Sequence, residues 1–390
     1  MKITSVEVIM LRCPCQTIAD ALSVCSSRQA LLVKINTDTE LYGIGEAFCY
    51  GSPLVAGKAI IERQLAPIII GQNPENIEKL WQTMYWRTIA NGRRGLVMAA
   101  ISGIDIALWD LKGKIYNIPV ADLIGRAIDV VPAYASGGFY SPNKNLDGLK
   151  SELEGYAKKG YKAVKIKIGR VAASDSSLKY MADQSLAVSY DEDMQRLEAT
   201  REIFGKNAIV GADINASWTA RAVLKAKADF ERVKLNWLEE PVVFEDKEGC
   251  RRIVEEMPDI SLMGFETEQG VKNYAKMIEN NMIDIAQPDV GWGGGISEVL
   301  KIGAVASASE RKISMHSFGS AVHYAASLQV AAAMYNTERI ESEENVNALK
   351  TDIITGKFET DKDMNFYVPD KPGLGIELDW NSIEKLSVEG

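Results

Sequence analysis

Seven ionisable residues recur at nearly even spacing through this chain: Lys165 and Lys167, Asp213, Glu239, Glu266, Asp289 and His316. Asp213, Glu239 and Glu266 lie 26 and 27 residues apart, and Asp289 precedes His316 by 27. Three acids brought together in a partly dry cavity repel one another severely. A hard divalent ion relieves that repulsion, because it takes oxygen ligands and keeps positions for water and substrate. One such acid alone would be read as a partner for a lysine; three in phase point to magnesium. A single histidine is more often a satisfied polar residue than a catalyst. Asp289, in phase with His316, can nevertheless accept its Nδ1 proton, fix the tautomer and keep the imidazole basic. His323, seven residues on within an expected helix, is assigned no chemistry.

Strand alternation puts Lys165 and Lys167 on one face, with Val164, Ile166 and Ile168 on the other. An isolated Lys-x-Lys is usually a solvated strand face. Here the apolar face must pack on helices, so both ammonium groups point inward, where they need carboxylates nearby.

The elements that must position these residues follow from hydrophobic period. Apolar strand-like runs occur at Val130–Gly137, Ala163–Gly169, Ala208–Asp213, Leu235–Glu240, Ser261–Glu266, Ile283–Asp289, Lys312–His316 and Thr337–Glu341. Helical stretches lie between them, such as Asp191–Phe204, Thr219–Val233 and Ile296–Ser309. Eight strand–helix units at roughly 25 residues each predict a closed parallel barrel, whose chemistry gathers at the C-terminal strand ends. The chemical residues stand at those ends. An open doubly wound sheet is the competing architecture, but no GxGxxG follows the first strand. Gly293, Gly294 and Gly295 could start a helix that meets an anion.

Ahead of the barrel, strands Lys2–Leu11, Arg28–Asn36 and Leu41–Phe48 and three helical stretches predict an α+β unit, with Pro14, Cys15 and Ser26 in a loop between the first two strands. The tail after about Asn345, with Pro369, Pro372, Gly373 and Gly375, is expected to pack back on that unit. The expected divisions are 1–128, 129–345 and 346–390. About twenty residues between Gly169 and Asp191, including Ser174, Tyr180 and Gln184, break the rhythm as a functional loop would.

Composition narrows the classes. The 390 residues are 46% hydrophobic and 25% charged, which excludes a disordered or fibrous chain. A net charge of −9 is a poor match for nucleic acid, and no basic, aromatic-rich stretch changes that. Five cysteines without a CxxC spacing indicate neither a disulfide framework nor a zinc site. With no signal-like start and no membrane-length apolar run, a cytoplasmic address is expected.

Taken together, Lys165-Ile166-Lys167, Trp237-Leu238-Glu239-Glu240-Pro241, Gly264-Phe265-Glu266, Gln287-Pro288-Asp289 and His316 resemble the enolase superfamily, and within it the mandelate racemase subgroup. Gly43-Ile44-Gly45-Glu46-Ala47, Ile104 to Lys114 and Pro372-Gly373-Leu374-Gly375 extend the resemblance over nearly the whole chain. The resemblance implies an α/β fold: a modified TIM barrel, (β/α)₇β, under an N-terminal α+β capping domain completed by the C-terminal tail. It implies magnesium on Asp213, Glu239 and Glu266, and removal of a proton alpha to a carboxylate. A Lys or His base with magnesium is the general pattern for enolase-superfamily sites. Lys167, its pKa lowered by Lys165 and the metal, would be one base, and His316 supported by Asp289 the other. Glu341, if protonated, would hydrogen-bond the second carboxylate oxygen, with Glu338, Glu343 and Glu344 competing for that place. Asn215 would contact substrate, and a homo-oligomer is expected.

Departures narrow the subgroup. The muconate-lactonizing and dipeptide-epimerase branch puts a lysine where Asp289 stands. Similar galactonate and mannonate dehydratases carry a histidine at the position of Asn215, and the glucarate branch has asparagine at that of Glu266. Acid-sugar dehydration, the elimination of water to a 2-keto-3-deoxy sugar acid, is the expected reaction. Lactone cycloisomerisation and racemisation or epimerisation are the alternatives, and a non-catalytic sugar-acid binder is the reading from another class. Specificity is expected from Cys13 to Arg28, from around Tyr50 and Gly51, and from the segment after Gly169. Arg28, Arg93 and Arg94 could meet a distal carboxylate, although ordinary salt bridges are the more common use of such arginines.

Overall fold

The computed structural model describes residues 1–49, 53–171 and 185–389. The expected loop positions Tyr50 and Gly51, and Ser174, Tyr180 and Gln184, lie outside the described residues.

Alternating burial builds an antiparallel sheet from β1 (Ile3–Ala19), β2 (Val24–Thr37) and β3 (Tyr42–Ala47). The hairpin runs further than the sequence indicates. Cys13 to Arg28, read as loop, continues the ladder, with Ile18 opposite Cys25 and Ala19 opposite Val24. The register is irregular between Pro14 and Ile18, where a residue lacking an amide donor is tolerated. The hairpin tip therefore reaches the barrel mouth, where Ala19 and Tyr140 exchange backbone hydrogen bonds of 2.7 and 2.9 Å.

Behind this sheet the helix Leu96–Tyr116 is buried on most of its surface. It approaches β3 so closely that a Cβ on Gly43 would lie 2.0 Å from the Ala107 carbonyl oxygen. Its Asp105 accepts from the Ser297 amide at 3.0 Å and the Ser297 hydroxyl at 2.6 Å, at the start of helix Gly295–Ala308. The group that meets the Gly293–Gly295 turn is thus the chain's own Asp105 carboxyl, which ties cap to barrel.

Two residues of β4 (Val130–Val131) pair with the tail, and the barrel then begins with β5 (Ala133–Gly137) and β6 (Ala163–Lys167). It continues with β7 (Ile209–Asp213), β8 (Trp237–Glu239), β9 (Ser261–Gly264), β10 (Ile285–Ala286), β11 (Lys312–Met315) and β12 (Thr337–Glu343). The eight strands close as a barrel with β12 paired to β5. Val164, Ile166 and Ile168 pack outward against helices, whereas Ala163 joins Tyr134, Trp237 and Met263 inside. The interior cluster closes the barrel beneath the site. Expected helix Thr219–Val233 is two helices, Ala220–Lys225 and Lys227–Arg232, separated at Ala226, whose amide donates to both Ala222 and Val223.

The tail returns as β13 (Phe366–Tyr367) on β4, and the Val388 amide donates to Met10 of β1 at 2.9 Å. No helix among the described residues is long and apolar enough to cross a membrane.

Candidate active site

Register sets the depth of the chemistry. Lys167 lies opposite Asp213, and Asp213 opposite Glu239, at the C-terminal edge of adjacent parallel strands. Lys165 Nζ donates to Glu239 at 2.6 Å, Glu341 at 2.8 Å and Asp213 at 3.1 Å, and is fully buried. Lys167 Nζ also donates to Asp213 Oδ2.

Burial alone would depress the Lys165 ammonium, but Glu239, Glu341 and Asp213 hold it well above its ordinary range. Lys167 is likewise opposed by burial and raised by Asp213. Without a bound cation, the attraction of the carboxylate both lysines share outweighs the repulsion from Lys165. Burial favours protonation of Asp213, yet Lys167 and Lys165 drive its pKa below the ordinary range. Burial and then Asp213 push Glu239 well up, and burial also raises Glu266.

Glu341 is brought into the site and Glu343 is not its rival, because Glu343 pairs with Arg28. Against burial, Lys165, His316 and Lys167 bring Glu341 down to about 2. Its carboxylate accepts from Lys165 and from the Ser317 amide at 3.1 Å.

Across the cavity His316 Nδ1 lies 2.6 Å from Asp289 Oδ2, and Nε2 lies 3.5 Å from Glu266 and 3.6 Å from Glu341. Burial disfavours the charged ring, but Glu266, Glu341 and Asp289 lift the imidazole to about 10. Asp289 is held below its ordinary range despite burial by His323 and His316.

His323 is the residue whose part the spacing concealed. Its Nε2 lies 2.9 Å from Asp289 Oδ1 and its Nδ1 3.1 Å from the Ser317 hydroxyl. Glu46 of β3 accepts from the amides of Ser320 and His323, anchoring the start of helix Ala321–Ala332. The paired rarity of histidine in this chain was the only available signal for His323. Glu240, another residue not singled out, takes a left-handed φ of 37° and accepts from the Thr267 hydroxyl at 3.0 Å. Burial, then Glu266 and Asp213, push it up to about 8.

A cavity of about 210 Å³ joins the two sides. Lys167, Asn215, Glu266 and His316 line its floor, and Asp20, Phe48, Trp292 and Phe318 line its upper part. The Asn215 amide donates to Asp213 at 2.9 Å, and its side-chain Oδ1 is buried with no protein partner. Glu266 Oε2 is also buried and unpartnered. Among the described residues no three acids or histidines form a ready-made metal cage, since Lys165 and Lys167 are the cations that Asp213 and Glu239 hold. The unpartnered Glu266 oxygen and the all-oxygen donor set fit a hard divalent cation.

The three arginines considered for a distal carboxylate are placed elsewhere. Arg28 is buried against Glu343 at 3.2 Å, Arg94 pairs with Glu268 and lies 3.8 Å from Glu245, and Arg93 lines a separate groove.

Comparison with known proteins shows the family to which the chain belongs. The family model for the mandelate racemase / muconate lactonizing enzyme N-terminal domain matches residues 2–125, and the enolase C-terminal domain-like model matches residues 148–382. An arabinonate dehydratase of Saccharolobus solfataricus is 34% identical over 350 residues, covering 90% of this chain and 88% of its own. A D-galactarolactone cycloisomerase of Agrobacterium fabrum is 32% identical over 98% of each chain. The crystal structure of a racemase from Streptomyces coelicolor A3(2) with bound magnesium superposes with a TM-score of 0.87 at 26% identity, covering 99% of this chain and 100% of that one. The chain belongs to the mandelate racemase/muconate lactonizing enzyme family of the enolase superfamily.

Proposed function

We propose that this protein removes the proton alpha to the carboxylate of a sugar acid and eliminates water from the adjacent carbon, giving a 2-keto-3-deoxy sugar acid. The observation that carries this reading is the presence of Lys167 and the Asp289-supported His316 on one 210 Å³ cavity, with Glu266 between them. The names of the arabinonate dehydratase and of an L-talarate/galactarate dehydratase relative support the same reaction class.

Asp213, Glu239 and Glu266 are the residues that would hold magnesium. When bound, the ion supplies positive charge against the second negative charge that develops on the substrate carboxylate. Lys167 takes the alpha proton as the neutral amine, which it becomes by giving its ammonium proton to solvent once Asp213, the carboxylate that holds its pKa up, is engaged elsewhere. His316 works from the other face as imidazolium. With Nδ1 held by Asp289, Nε2 delivers a proton to the departing hydroxyl oxygen, so that water leaves and the neutral imidazole remains. Lys165 stays protonated among Asp213, Glu239 and Glu341 and fixes their positions. Asn215 Oδ1 and its amide group face the cavity and orient substrate hydroxyls.

A lactone cycloisomerase uses the same residues with a ring oxygen as leaving group. The relative matched over 98% of each chain favours keeping that second reading.

The test is proton exchange. Incubated with magnesium and a panel of sugar acids and lactones in D₂O, the protein is expected to yield alpha-deuterium or a 2-keto product. Lys167→Ala and His316→Asn should each remove exchange from one stereochemical face. Full activity in both variants would overturn the assignment of the two proton carriers.

A further inference from the structure

The strand that carries Lys167 outruns one of its neighbours. On the β7 side the Ile168 amide still donates to the Asp213 carbonyl at 2.9 Å. On the other side β5 pairs with β6 as far as Gly137 opposite Ile166 and ends there. The Lys167 carbonyl and the Gly169 amide lie past that pairing, and backbone groups buried at such a place need other partners.

Two side chains of one helix supply them. Arg196 Nη2 donates to the Lys167 carbonyl at 3.1 Å and to the Gly138 carbonyl, and Asp193 Oδ2 accepts from the Gly169 amide at 2.8 Å. Asp193 and Arg196 are both buried and stand one turn apart on helix Tyr190–Phe204, with Arg196 Nε 3.5 Å from Asp193 Oδ1. The same Oδ1 accepts from the Tyr140 hydroxyl at 2.6 Å, and the Arg196 guanidinium lies over the Tyr140 ring at 4.4 Å. A capping box fixes where the helix starts. Ser189 Oγ accepts from the Glu192 amide at 3.2 Å, and the Glu192 carboxylate accepts from the Ser189 amide at 2.7 Å.

A buried ion pair that only packed a helix on the barrel could give way to apolar side chains at little cost. This one directs its charges at backbone atoms of Lys167 and of the residue two places on. Both side chains stand behind Lys167, outside the lining of the cavity. His316 follows β11 across the cavity and is held by Asp289, so the pair has no part in aiming it.

We propose that Asp193 and Arg196 are positioning residues for Lys167, setting the depth and direction from which its Nζ meets the alpha carbon. This rests on the proton-abstraction reading above and adds to it the residues that aim one of the two proton carriers.

The experiment uses the full chain with magnesium and sugar acids in D₂O, reads exchange from each face of the alpha carbon separately, and records the urea midpoint of each variant. Arg196→Lys keeps the charge beside Asp193 but loses the planar fork that spans two carbonyls. Asp193→Asn keeps the shape but leaves one acceptor oxygen where there were two. Misplacing a reacting group by about 1 Å can cost about 10²-fold, so exchange from the Lys167 face is expected to fall at least about tenfold in each variant, with the His316 face within about threefold of wild type. Arg196→Lys, the milder change, carries the test should Asp193→Asn fail to fold. Equal falls from both faces, at any urea midpoint, reduce the pair to a structural tie and overturn this proposal while leaving the proton-abstraction reading intact. Unchanged exchange from the Lys167 face in a folded variant overturns it as well. Exchange from neither face in the wild type defeats the proton-abstraction reading, and this one with it.

Discussion

Asp289 and His316 are joined twice: their backbones form a parallel bridge at the end of adjacent strands, and their side chains meet at 2.6 Å. The backbone bridge fixes the distance at which the carboxylate meets Nδ1, so the imidazole presents Nε2 to the cavity without a search through rotamers. Asp289→Asn keeps the shape but offers an amide in place of the carboxylate. Turnover is expected to fall by about 10² to 10⁴, with exchange from the Lys167 face retained. Stereochemically resolved exchange in D₂O checks this, and equal loss from both faces would contradict it.

His323 holds the other oxygen of the same carboxylate at 2.9 Å, alongside the Gly291 amide at 2.7 Å. His323→Ala removes that donor and is expected to cost about 1–3 kcal/mol of stability and to reduce turnover. His323→Gln, which can present a side-chain amide to Asp289, should recover part of the turnover. Urea denaturation and initial rates on both variants separate a loss of folding from a loss of positioning.

Metal dependence follows from the buried, partly unpartnered acids. Treatment with a chelator is expected to abolish turnover, and magnesium to restore it. Magnesium should also raise the melting temperature of the wild type, by the stabilisation that binding to the folded state alone confers. Glu266→Gln, which replaces one charged ligand, should show a smaller rise at the same concentration. An equal rise would remove Glu266 from the proposed ligand set.

Asp105, far from the catalytic groups, carries a pH dependence of stability. Burial pushes its carboxyl up to about 7 from an ordinary value of 3.8, against the bonds from Ser297. Between those values the folded chain holds a proton that the unfolded chain has lost. The stabilisation is full below about pH 4 and disappears as pH rises through about 7, at up to about 1.4 kcal/mol per pH unit. Asp105→Asn should therefore lose less stability than the wild type between pH 5 and 7. Denaturant midpoints at the two pH values test it.

Much of the site is legible in the linear sequence because parallel strands place successive strand ends at one depth. The register of Lys167 with Asp213 and of Asp213 with Glu239 is the structural counterpart of the even spacing. The lysine face of β6 follows from alternation alone. What spacing does not reveal is contact between distant elements. Glu46 reaches Ser320 and His323 across more than 270 residues, and Phe318 covers an arginine 290 residues earlier. The charge state of Lys167 is equally illegible, since it depends on both lysines meeting the same Oδ2 of Asp213. The hairpin from Cys13 to Arg28 is missed because proline and small polar residues read as loop, although pairing on both sides of the irregularity keeps it a strand.

The central claim is that Asp213, Glu239 and Glu266 together grip one divalent ion, and crystals grown with manganese as a magnesium surrogate test it most directly through anomalous scattering. The expected result is a single ion with an oxygen of each carboxylate at about 2.0–2.3 Å and Lys167 released from Asp213. An ion bound elsewhere, or none while Lys165 and Lys167 remain locked between the acids, would contradict the account.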